Sequence, residues 1–130
     1  MNRPDEIARN VVDAAFKVHS ALGPGLLESA YEACLAHELS RRGYEVERQK
    51  AQPVVYEGLE IEVGYRLDIL VEGELIVELK AVEQTLPIHH AQLMTYLKLS
   101  GKTLGLLINF NVPLIKNGIK RVALNHPESK

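Results

Sequence analysis

Residues 65 to 80 show an alternation with a period of two, in which every second position is apolar. If this stretch is extended, all of its ionisable strand residues lie on one face. Such alternation is typical of a β-strand, because successive side chains point to opposite faces of a sheet. If residues 72 to 74 form a turn, the two halves pair as a β-hairpin with one apolar and one mixed face. The apolar face carries Leu67, Ile69, Val71, Leu75, Val77 and Leu79, and the mixed face carries Arg66, Asp68, Leu70, Ile76, Glu78 and Lys80.

The same pairing predicts that two carboxylates face each other. Asp68 lies opposite Glu78, with side-chain roots about 5 Å apart, and Lys80 follows two residues along the strand. Two opposed acids repel each other, a cost that a purely solvated face has no reason to keep. A divalent cation bound by both carboxylates would remove the repulsion, so the hairpin predicts a cation site. The simpler alternative is a polar face that only keeps the sheet soluble.

Three stretches place apolar residues at helical spacing, and a glycine follows soon after each of them. They are residues 4 to 21, residues 26 to 42 and residues 86 to 99. Gly43 suits the left-handed position that closes a helix, and Gly23-Pro24-Gly25 ends the first helix sharply.

Extended chain accounts for most of the remainder. Residues 44 to 63 predict meandering strands, with Pro53 and Glu57-Gly58 as breaks. Residues 103 to 109 are continuously apolar, which is typical of a strand buried on both faces, and residues 119 to 124 predict an edge strand.

No repeat or linker divides the chain, so residues 1 to 130 predict one α/β domain with a mixed sheet, helices packed on it and a loose tail at residues 125 to 130. A content of 46% hydrophobic residues supplies one core. The single cysteine, Cys34, fits a buried structural thiol in a reducing cytoplasm. No segment approaches the roughly 20 apolar residues of a membrane span.

The charge of the chain weakly opposes non-specific binding of a polyanion. Its formal net charge is −2 and its pI is near 6.2, whereas such binders usually carry a basic excess. Basic residues are nevertheless grouped locally, and site carboxylates stop counting as negative charge once a metal binds. The groups are Arg41, Arg42, Arg48 and Lys50, and Lys116, Lys120 and Arg121.

Two predicted helices carry polar side chains that could reach this site. Glu28 and Tyr31 are three residues apart and share a face of the second helix, and Gln92 and Tyr96 are four apart in the third. The alternatives are an acid that complements the helix dipole and a solvated helix side with a satisfied tyrosine.

Taken in order, these motifs resemble the PD-(D/E)XK nuclease superfamily. Asp68, followed nine residues later by Glu78-Leu79-Lys80, resembles its signature, and Gln92 to Tyr96 is similar to the Q-x-x-x-Y motif of its RecB-like branch. Gly25-x-x-Glu28-x-x-Tyr31 is similar to the naming motif of the GxxExxY proteins, a small family of that superfamily. The resemblance spans about residues 5 to 124 and implies a restriction-endonuclease-like domain with core order αβββαβ.

The resemblance also implies roles for single residues. Asp68 and Glu78 would bind Mg²⁺ or Mn²⁺, with the Leu79 carbonyl and the helical acid Glu28 as further ligands. Lys80 would orient or help deprotonate the attacking water. Gln92, Tyr96 and Tyr31 would steady the site or contact substrate. Leu67 stands before Asp68 where the signature has proline.

The implied activity is metal-dependent hydrolysis of phosphodiester bonds in DNA, with a metal-activated water as the nucleophile. A homodimer or an unidentified protein partner would fit so small a chain. Two alternatives stay open at this stage. One is a structure-specific endonuclease that resolves junctions, and the other is a non-catalytic interaction module that keeps the nuclease fold.

Overall fold

A computed structural model describes residues 2 to 127 and shows three α-helices around a five-stranded mixed sheet. In chain order the elements of this part are α1 (Arg3–Leu22), α2 (Glu28–Arg41), β1 (Val46–Ala51), β2 (Val54–Tyr56), β3 (Leu59–Ile61), β4 (Arg66–Val71), β5 (Leu75–Lys80), α3 (Pro87–Ser100), β6 (Leu104–Asn109), a 3₁₀ helix (Ile115–Gly118) and β7 (Ile119–Ala123). The predicted elements are confirmed, with ends that differ by a few residues.

The main sheet has the strand order β1-β4-β5-β6-β7. Strands β5 and β6 run parallel at its centre, and all other neighbours in this sheet are antiparallel. A parallel pair needs a crossover connection, and α3 supplies it. Strands β2 and β3 form a separate two-stranded sheet. This architecture confirms the predicted α/β class and is consistent with a restriction-endonuclease-like fold.

Helices cover both faces of the sheet at its central strands, whereas β1 is largely exposed. On one face, α1 and α2 cover a core cluster that includes Ile69, Val77 and Leu79. On the other face, α3 packs over a second cluster that includes Leu70, Ile76 and Leu107. Every residue of β6 is buried, as its continuous apolar sequence predicts.

Gly105 in β6 allows α3 to approach the sheet closely. A Cβ atom at this position would lie 2.9 Å from Leu93 Cδ1 and 3.2 Å from the Ile76 carbonyl oxygen. The missing side chain therefore sets the depth at which α3 packs, and with it the height of the polar residues that α3 carries above β5.

The hairpin has the predicted register. Val71 pairs with Leu75, Leu70 with Ile76, and Ile69 with Val77. The prediction for Leu67 is wrong, because this residue packs in the cluster beneath α3 and not with Ile69. The pairing of β4 with β1 is interrupted opposite Asp68, where Gln49 has a positive φ of 51°. The prediction from alternating residues assumes that the strand is regularly pleated along its whole length. The interruption opposite Asp68 breaks that regularity.

The end of the described chain packs against its beginning. His126 contacts the Thr103 hydroxyl at 2.8 Å and the Asp5 carboxylate at 2.9 Å. The predicted loose tail starts at residue 125 and extends into residues 128 to 130, which lie outside the described residues. Within the part of the chain that the structure describes, no helix is long and apolar enough to cross a membrane.

Candidate active site

Asp68 and Glu78 lie where β4 and β5 stop pairing. The backbone ladder between the two strands ends at Ile69 and Val77. Beyond that pair, hydrogen bonds from backbone amides to side chains replace the backbone ladder. The Asp68 amide donates to Glu78 Oε1 at 3.1 Å, and the Leu79 amide donates to Asp68 Oδ2 at 2.9 Å. Each carboxylate thus binds the backbone of the opposite strand. The two strand ends hold the acids together without a flexible loop.

Burial gives Glu78 an unusual protonation state. The residue is only 6% exposed. Burial, followed by the nearby Asp68 carboxylate, raises the pKa of Glu78 to about 9, and Lys80 offsets part of this rise. The Glu78 carboxyl is therefore protonated at neutral pH in the metal-free protein. Lys80 does not bring the pKa back to its ordinary value, and a bound cation would favour the ionised form of Glu78.

Glu28 is the first residue of α2 and is half-buried beside the same acids. Burial raises the pKa of its carboxyl, and the charge of Asp68 raises it further, while Lys80 lowers it. Lys80, at the end of β5, thus acts electrostatically on both Glu28 and Glu78. The structure brings together four of the residues that the sequence singles out.

Gln92 and Tyr96 lie on α3 above the second face of the sheet. Gln92 Nε2 donates to the Tyr96 hydroxyl at 3.2 Å. Tyr96 is buried, and its pKa is raised by burial and then by the charges of Glu78 and Asp68. The charges of Glu78 and Asp68 thus reach the Tyr96 hydroxyl.

Tyr31 lies in the core, contrary to its predicted contact with substrate. Its side chain is 0% exposed, and its ring stacks on Phe110 with centroids 4.7 Å apart. Its hydroxyl donates to the Gly23 carbonyl and accepts the Leu26 amide. Tyr31 therefore ties down the loop before α2. It fixes where that helix begins, and so where Glu28 is presented.

A supporting layer around Asp68 was missed by the sequence analysis. Gln49 Nε2 donates to Asp68 Oδ1 at 3.3 Å and to Glu32 Oε1 at 2.6 Å. Glu32 is buried and also pairs with Arg48 at 3.1 Å. The only sequence signal was that Glu32 lies one turn beyond Glu28. Nothing in the sequence marks Gln49, because its left-handed backbone is rare outside glycine and asparagine.

These oxygen donors fit a hard divalent cation. Among the described residues, no group of three His, Cys, Asp or Glu side chains is arranged to hold a metal. Mg²⁺ nevertheless keeps several waters and needs only one or two carboxylates plus substrate oxygens. The two adjacent acids Asp68 and Glu78 satisfy that requirement once a cation displaces the Glu78 proton.

The comparison with protein families agrees with this geometry. The family model of the PD-(D/E)XK nuclease superfamily matches residues 5 to 122, so the chain belongs to that superfamily. The match contains the acid pair, Lys80, Glu28 and the polar residues of α3. No curated protein and no solved structure is similar enough to the chain to give a match.

Proposed function

We propose that this protein is a metal-dependent nuclease that hydrolyses phosphodiester bonds in DNA. The observation that carries the proposal is the acid pair of half-buried Asp68 and buried Glu78, which is held by the backbone of two central strands with Lys80 next to it. Membership of a nuclease superfamily supports the reaction class. A buried acid with a strongly raised pKa next to a second acid is typical of a functional site.

The proposed site residues have different roles in hydrolysis. Asp68 and Glu78 would hold Mg²⁺ or Mn²⁺, with Glu28 and the Leu79 carbonyl as further oxygen donors. A bound cation of this kind lowers the pKa of a coordinated water and neutralises charge on phosphoryl oxygens. Lys80 orients the attacking water and adds positive charge where negative charge develops on the phosphate. The site needs no nucleophilic side chain.

Basic residues near the acid pair provide contacts for the phosphate backbone. Arg48 and Lys50 on β1 and Arg66 on β4 are exposed. Arg66 and Lys50 lie on paired strands, and Arg48 contacts the layer that supports Asp68. Arg48 also pairs with Glu32 and Lys50 with Glu47, so bound DNA would exchange these partners for phosphates.

We further propose that the protein belongs to the GxxExxY branch, because each of the three residues of that motif has a role in the structure. Gly25 has a φ of +102°, Glu28 opens α2 beside the acid pair, and Tyr31 anchors the loop between α1 and α2. The three residues of the motif thus act together to present an acid to the site.

The free Cys34 supports a reducing compartment such as the cytoplasm.

The test is cleavage of linear, circular, single-stranded and branched DNA by purified protein with Mg²⁺ or Mn²⁺. Glu78→Gln and an EDTA control run in parallel, and Glu83→Gln, an exposed acid close in the chain, is the matched control. Metal-dependent cutting that is lost only in Glu78→Gln supports the proposal. Cutting that survives in Glu78→Gln, or no cutting of any substrate with metal bound, contradicts it.

A further inference from the structure

A groove of about 650 Å³ opens beside the acid pair. Its lining comes from Tyr65 and β2 on one side, the end of β5 at one point, and the exposed side of α3 on the other. It shares Lys80, Gln92 and Tyr96 with the candidate active site. The groove is therefore continuous with the place where the scissile phosphate would lie.

The chemistry of the groove is apolar with a cationic end. Its lining includes Val54, Tyr65, Ile88 and Leu99, and it contains no acidic residue. Tyr65 is 46% exposed and Ile88 is 66% exposed, although both are large apolar side chains. The ring of Tyr65 lies 6.3 Å from that of Tyr96, so one aromatic wall is partly fixed in place. Exposed apolar surface of this kind, next to a charged site, marks a binding surface.

We propose that this groove binds an unpaired nucleobase of the substrate, with the adjoining phosphate at Lys80. A base has two apolar faces that stack on aromatic side chains, and its phosphate requires a cation. In a duplex the faces of each base are covered by neighbouring base pairs, and only the edges are accessible. The apolar part of the groove has no donor or acceptor for those edges, whereas it suits the exposed face of an unpaired base. The proposal rests on the proposed nuclease function and makes single-stranded or frayed DNA its substrate class.

The overall charge of the protein favours the same substrate. Proteins that bind duplex DNA without sequence preference gain most of their affinity from neutralising phosphates. This chain has a formal net charge of −2 and so has little long-range attraction for a polyanion. Stacking of bases on Tyr65 would supply affinity that does not depend on net charge.

The experiment measures stacking directly and does not require cleavage. The probe is a short single-stranded DNA with one 2-aminopurine, whose fluorescence is quenched on stacking, compared with the same strand in a fully paired duplex. Binding is measured with Ca²⁺ in place of Mg²⁺. The variants are Tyr65→Ala and Tyr65→Phe, with Tyr56→Ala as the matched control, because Tyr56 is an exposed tyrosine outside the groove lining.

We expect binding to quench 2-aminopurine in the single strand, and fluorescence anisotropy of end-labelled DNA to show weaker binding of the duplex. Tyr65→Ala should weaken binding of the single strand about tenfold, as loss of one base–aromatic stack does. Tyr65→Phe and Tyr56→Ala should bind like the parent protein. Equal binding by Tyr65→Ala, equal loss in Tyr56→Ala, or tighter binding of the duplex would overturn the inference. If quenching occurs without cleavage under Mg²⁺ or Mn²⁺, the groove stands and the nuclease proposal fails.

Discussion

Glu78 is the residue whose chemistry depends most on its surroundings, because burial and Asp68 raise its pKa to about 9. A metal-bound carboxylate is ionised, so a cation that binds at neutral pH must displace the Glu78 proton. We expect the affinity for Mn²⁺ to rise with pH by about tenfold per unit until the pKa is reached. Isothermal titration in buffers of different ionisation enthalpy should detect about one proton released. An affinity independent of pH would contradict this.

The same residue gives the metal-free protein a pH-dependent stability. Glu78 binds its proton more tightly in the folded state than in the unfolded chain, whose carboxyl has an ordinary pKa of 4.5. Its contribution is therefore fully present below that value and is lost as pH rises toward about 9. The slope for one proton approaches about 1.4 kcal/mol per pH unit. Urea unfolding in EDTA should show this decline in the parent protein and not in Glu78→Gln.

Gln49 is expected to position Asp68 and not to touch substrate. Its amide joins Asp68 to Glu32, and its backbone has a positive φ of 51°. Gln49→Gly removes the amide and also relieves the backbone, whereas Gln49→Ala removes the amide and keeps the strain, at a cost of about 1 kcal/mol. We expect both to weaken metal affinity several-fold, with Gln49→Ala clearly less stable in thermal unfolding. Unchanged metal affinity in both would show that Asp68 needs no such support.

At the scale of elements, the loop between α1 and α2 depends on one buried hydroxyl. Tyr31 satisfies both the Gly23 carbonyl and the Leu26 amide, so Tyr31→Phe leaves two backbone groups without this partner. We expect a loss of about 1 to 3 kcal/mol in urea unfolding. Tyr56→Phe, at an exposed position, is the control and should lose nothing measurable. Equal stability of the two variants would mean that the loop holds without the hydroxyl.

The hairpin was predictable because its information is local. Alternation and a short turn fix which residues of β4 and β5 pair, and Ile69 to Val71 pair as expected. Leu67 was misplaced because its environment depends on β1, a strand distant in the chain, and on the left-handed backbone of Gln49. An alternation of residues within β4 cannot reveal an interruption that arises in the neighbouring strand.

At the scale of the molecule, the order of motifs made the fold and the acid pair predictable. Asp68, Glu78 and Lys80 follow from one hairpin, and Glu28 and Gln92 follow from helical spacing. The supporting contact of Gln49 with Glu32 joins β1 to α2, and the groove joins Tyr65 to α3. Those juxtapositions arise only when distant segments pack, which neither propensity nor spacing describes. Tyr31 was misjudged for the same reason, since its stacking partner Phe110 follows β6.

The first and last described segments contact each other, so the chain could be joined there and opened elsewhere. Asn2 Nδ2 donates to the Pro127 carbonyl at 3.0 Å, and His126 holds Asp5. A linker of a few residues between these points would close a short loop at small entropic cost. Circular permutation therefore has a natural design here, with new ends cut at the exposed Glu57-Gly58 turn, which precedes β4 and all the proposed metal-binding strand residues in the chain. A permuted chain would begin just before β3 and end just after β2, carrying the same acid pair in a new order of synthesis.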